Sequence, residues 1–165
     1  MGQTLRLHAL SILPEDSGPA LEATCRFYSP FEIEVELLSQ EHRLGFPPEL
    51  PIFMTDPARL TPDQLRLYAR REPWPLAEVA AFFVGSLPPM RCHGFSHPGL
   101  NISVVASGAP PLTLAHELGH LLGLGHVQDE PANLMFFRGP QGPEARLDAS
   151  QLLQVRSSPL LATIC

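Results

Sequence analysis

Residues 116–126 read His116-Glu117-Leu118-Gly119-His120-Leu121-Leu122-Gly123-Leu124-Gly125-His126. On a helix, residues four apart lie one turn above each other, so His116 and His120 aim two imidazole nitrogens at one point. Glu117 sits about 100° round the helix from His116 and borders that point without being drawn into it. Were the helix to continue, His126 would lie about 15 Å along the axis from His116, far outside a shared coordination sphere. The spacing therefore predicts a helix that stops at Gly123, where a left-handed residue carries no Cβ penalty, and a chain that doubles back through Gly125 to bring His126 in. Three imidazoles on one ion, with the fourth position left to water, is the open geometry of a catalytic zinc site. A carboxylate beside that water is placed to act as general base. A leucine-rich core helix that carries histidines by chance explains neither Glu117 nor the two glycines.

Beyond His126 comes Asn133-Leu134-Met135. The pattern H-E-x-x-H-x-x-G-x-x-H followed by a methionine turn resembles the metzincin clan of zinc endopeptidases. The resemblance implies one Zn2+ held by His116, His120 and His126, with Glu117 as catalytic base. Met135 would form an apolar floor beneath the imidazoles without binding the metal. The implied fold is α+β: a twisted, mostly parallel sheet with an antiparallel edge strand, a backing helix and an active-site helix. Residues 1–126 would form an upper subdomain, and residues 127–165 a small lower one with the Met-turn and a final helix. A peptide or protein substrate would lie extended along the edge segment Cys92, His93, Gly94 and Phe95, adding a strand to it. Phe136 and Phe137 would shape the pocket for the side chain that follows the cut. Within the clan, Val127 matches none of the usual residues after the third histidine, and Phe136-Phe137 leaves no tyrosine as an extra ligand. Compactness makes the chain most similar to the matrixins, without the His/Asp cluster or Asp-rich loop of their structural zinc and calcium sites.

A 165-residue chain that is 44% hydrophobic and 17% charged is expected to form one domain with a substantial core and no disulfide stapling. A net charge of −6 leaves no basic stripe for phosphates, so no nucleic-acid partner is expected. No stretch approaches the roughly 18 apolar residues needed for a membrane span. The first residues lack a charged region followed by an apolar run, so a cytoplasmic location is expected unless a leader was removed. A monomer is the simplest expectation. Cys25, Cys92 and Cys165 cannot all pair within one chain.

In chain order, residues 4–13 alternate as a strand and 19–28 read as a helix stopped by Ser29-Pro30. Residues 31–37 set Phe31, Ile33, Val35 and Leu37 against Glu32, Glu34 and Glu36, a strand with one buried and one wet face. Residues 39–60, rich in proline, read as a long surface loop. Thr61-Pro62-Asp63-Gln64 is a capping box that launches a helix through about residue 71, for which the metzincin pattern has no counterpart. Strands are expected over 79–87, 92–97 and 101–107, the active-site helix over 111–123, and a final helix over 148–156 that starts on Asp148-Ala149-Ser150-Gln151.

Cys92, His93 and His97 raise the alternative of a second metal site, and Arg91-Cys92 resembles a matrixin cysteine switch displaced from its usual N-terminal prosegment. A buried or semi-exposed free thiol is the plainer reading. Asn101-Ile102-Ser103 matches a glycosylation sequon that falls in an expected strand. For the whole chain the rivals to an endopeptidase are a zinc hydrolase acting on a non-peptide amide or ester, and a latent zinc-binding domain. The last would have no use for Glu117.

Overall fold

The computed structural model describes residues 2–13, 17–52, 59–89, 92–140, 142 and 144–163. Residues 53–58 of the long loop expected at 39–60, Arg91 and Cys165 lie outside them. Strand β1 (Gln3–Ser11) runs up the middle of the sheet, with β2 (Ile33–His42) parallel along one side. On its other side β3 (Val79–Val84) pairs parallel with Leu7 to Ser11. Next come β5 (Ile102–Ala106), parallel to β3, and β4 (Gly94–His97), antiparallel to β5, which gives the order β2-β1-β3-β5-β4. This is the mostly parallel sheet with an antiparallel edge that was expected.

Period-two alternation sorts the strands onto two faces. Leu5, Leu7, Ala9, Ala81 and Val105 meet helices α1 (Gly18–Tyr28) and α3 (Thr113–Leu121). Leu10, Phe82, Val84 and Val104 face the other way. Helix α2 (Pro62–Tyr68) covers that second face with Leu67 and Tyr68, which gives the unassigned helix its place. Its capping box forms as read from the sequence, with Gln64 N donating to Thr61 Oγ1 and Thr61 N to Gln64 Oε1. The buried Arg71 beyond it donates to the carbonyls of Leu100, Trp74, Pro75 and Glu78, tying the entry to β3 against the far edge.

Two expectations need correction, and one further element joins the sheet. Strand β2 does not end at residue 37: the register with β1 shifts at Leu7/His8, and residues Ser39 to His42 go on pairing with His8 to Ser11. Leu37, the last residue paired before the shift, is 41% exposed, while Ile33 and Val35 are buried. The loop that follows is not all surface. Leu50 and Ile52 are buried, and their amides donate to Ser86 O and Pro88 O, so the segment is stitched along the end of β3. Finally, a short strand unmarked by periodicity, β6 (Leu161–Thr163), pairs antiparallel with Gln3 to Leu5, below the point where β3 begins. The chain after His126 therefore returns to the sheet, and its Leu134, Met135, Val155 and Leu161 share one core with Leu5 and Leu7. Helix α4 (Ala149–Arg156) starts on the expected Asp148/Gln151 capping box. Among the described residues no helix is long and apolar enough to cross a membrane.

Candidate metal centre

Helix α3 buries Leu114, Ala115, Leu118 and Leu121 against the sheet, which fixes its rotation and turns His116 and His120 toward the C-terminal segment. The helix ends at Leu121, and Gly123 takes a φ of +100°. Gly123 N donates to His120 O at 3.0 Å and Leu124 N to Gly119 O at 2.9 Å, the paired bonds of a Schellman stop. The predicted reversal occurs where the glycine permits it, and His126 comes back over the helix.

The ligand atoms of His116, His120 and His126 all lie within 4.8 Å of one another. His116 Nδ1 bonds Leu134 O at 2.7 Å and His120 Nδ1 bonds Leu124 O at 2.9 Å. A carbonyl only accepts, so each Nδ1 carries the proton and each Nε2 presents a bare lone pair. His120 Nε2 then faces His126 Nε2 at 3.1 Å. Three converging imidazoles, two of them with the outer nitrogen held by a carbonyl, are the donor set of a transition-metal ion such as Zn2+, and these residues fit one. Burial, more than the neighbouring imidazoles, lowers the His116 pKa to about 4 and also lowers that of His120, so both stand unprotonated near neutrality. Among the described residues this is the one group of three or more His, Cys, Asp or Glu side chains so gathered. Cys92, His93 and His97 do not form a second: β4 begins at Gly94, and His97 lies edge-on to Tyr68 on the opposite face.

The methionine turn is built by Asn133. Its Oδ1 accepts from Met135 N at 2.9 Å, and its Nδ2 donates to Gln151 Oε1 at 2.9 Å. Gln151 also closes the capping box of α4 by accepting from Asp148 N, so one side chain ties the turn to the final helix. Val127 N donates to Met135 O at 2.8 Å and Phe137 N to Val127 O at 3.0 Å, which fastens the residue after His126 to the same turn. Met135 itself is fully buried beneath α3. The sequence shows Asn133 and Gln151 only as a turn residue and a cap; their mutual bond joins positions 18 apart.

Glu117 is 6% exposed, and burial pushes its carboxyl up to about 7 against the opposing hydrogen bond from Ser96. Of the expected substrate residues, Gly94 serves Glu117 directly: a Cβ there would lie 2.5 Å from Glu117 Oε1 and 2.8 Å from its Cγ. Phe95 packs on the opposite face of the sheet. Cys92 is half-buried, and burial, then the charge of Glu117, raises its thiol pKa, so it stays protonated. Phe136 is buried, whereas Phe137 is 41% exposed with the Arg138 guanidinium over its ring.

No protein-family model matches the chain, and no curated protein matches it in sequence. Among solved structures it is similar to a zinc-dependent peptidase from Methanocorpusculum labreanum, with a TM-score of 0.59 and 17% identity over 90% of this chain and 99% of the other. It is likewise similar to an archaemetzincin from Methanopyrus kandleri, with a TM-score of 0.54 and 17% identity over 94% of this chain and 88% of that one. At such identities the likeness is one of fold.

Proposed function

We propose that this chain is a zinc-dependent endopeptidase of metzincin type. The observation that carries the reading is the convergence of His116, His120 and His126, two of them oriented by backbone carbonyls, beside a buried carboxyl on the same helix. Zinc, when bound there, polarises the scissile carbonyl and lowers the pKa of the attacking water. Glu117 takes the proton of that water on a carboxylate oxygen and delivers it to the departing amine nitrogen. Its low exposure keeps bulk water from competing for the proton. The outer edge of β4 pairs with no strand among the described residues, so an extended peptide can lie along it and present its carbonyl to the histidines.

The fold likeness to two peptidases described as zinc-dependent or as an archaemetzincin supports peptide as substrate, and favours that branch over the matrixin label read from the sequence. Incubating the zinc-loaded protein with a mixed peptide library and reading products by mass spectrometry tests the proposal. Internal cuts that vanish with a chelator and return with zinc are expected. An intact library, with hydrolysis of simple esters or amides instead, would move the function to the non-peptide hydrolases.

A further inference from the structure

Glu117 is held from outside its own helix. In β4, alternation turns Gly94 and Ser96 toward α3 and Phe95 and His97 away from it. The bare Cα of Gly94 leaves the space that the Glu117 side chain fills. Ser96 Oγ lies 2.5 Å from Glu117 Oε2 and 2.9 Å from Glu117 O. The hydroxyl has one proton to share between these two acceptors, and its short approach to Oε2 sets it bridging the backbone and the carboxyl end of Glu117. Directly across the ladder stands Ser103, fully buried on the same face, whose Oγ has no hydrogen-bond partner.

We infer that Ser96 is a positioning residue for the Glu117 base, and that β4 therefore both receives the substrate strand and aims the group that acts on it. The inference rests on the reading of Glu117 as base. A peptide paired along the outer edge of β4 would immobilise the strand that carries Gly94 and Ser96, so occupancy of the cleft and alignment of the carboxylate are coupled through one short element. The backbone edge that binds the peptide is untouched by a change in the Ser96 side chain. Loss of the hydroxyl should therefore appear in kcat and leave KM alone.

Ser96→Ala is expected to lower kcat about 10- to 100-fold, the value of one hydrogen bond to a charged group, with KM within about twofold of wild type and zinc content unchanged. Ser96→Thr, which keeps the hydroxyl, should restore most of the rate, and Ser103→Ala should behave as wild type. If Ser96→Ala does not fold, the near-isosteric Ser96→Cys takes its place and should show the same split. Wild-type kcat in the zinc-loaded Ser96→Ala protein would overturn the inference. A readout independent of activity is the carbon-13 resonance of the Glu117 carboxyl, assigned by its disappearance in Glu117→Gln. It should move in Ser96→Ala and stay in Ser103→Ala. Should the wild type cleave no peptide, the endopeptidase reading falls, and this resonance still decides: an unmoved signal in Ser96→Ala means that Ser96 does not hold Glu117.

Discussion

The sulfur of Met135 lies against the bare Cα of Gly119: a Cβ at residue 119 would come within 2.5 Å of Met135 Sδ and 3.3 Å of its Cε. The second variable position of the helical motif is thus a seat for the Met135 side chain. Gly119→Ala adds about 1 kcal/mol of helix propensity but overpacks a fully buried contact, at a cost of about 1–3 kcal/mol. A net loss of stability is expected in chemical denaturation. The double variant Gly119→Ala/Met135→Ala should lose less than the sum of the two single changes. Strict additivity would mean that the two residues do not press on each other.

Met135→Leu roughly conserves volume and should retain zinc and much of the activity, because the side chain packs and the turn is held by Asn133. Elemental analysis decides it. A variant empty of metal would show that the thioether does more than fill space.

Each of His116→Ala, His120→Ala and His126→Ala removes one of three donors, and none should keep stoichiometric zinc after dialysis. A variant that stays fully loaded would strike its residue from the ligand set.

Glu117→Ala should bind zinc nearly as the wild type does and lose hydrolysis by about 10²–10⁴-fold or more, since the proton acceptor goes and the three imidazoles remain. Single-turnover assays on the metal-loaded variant measure this. Cleavage at the wild-type rate would remove Glu117 from the mechanism.

Glu117 also predicts how the metal-free protein responds to pH. Its carboxyl titrates near the ordinary 4.5 when unfolded and near 7 when folded, so between those values the folded state binds more protons and stability falls as pH rises. His116 works in the opposite sense, since its folded value of about 4 lies below 6.5 and its contribution is lost on acidification. Glu117→Gln removes only the first effect. In the presence of chelator, the melting temperature of this variant minus that of wild type should therefore grow as pH rises from 4.5 to 7. A difference that stays flat across that window would mean that Glu117 ionises in the folded protein as it does in water.

The local chemistry of this chain is written in short-range spacing. Four-residue periodicity puts His116 and His120 on one face, Gly123 supplies the only backbone that can end the helix there without strain, and Thr61/Gln64 and Asp148/Gln151 cap their helices within three residues. Each of these depends on groups so close in sequence that no other part of the molecule is needed to bring them together. What tertiary structure alone decides is which distant groups complete them. The Nδ1 of His116 meets a carbonyl 18 residues away, Glu117 meets Ser96 and Gly94 on a strand read from the sequence as a place for substrate, and β6 finds the start of β1 from the other end of the chain. No periodicity marks such pairings, because a hydrogen bond or a missing Cβ is specified by where two elements cross. That crossing is set by the burial of Leu114, Leu118 and Leu121 in the core that α3 shares with the sheet.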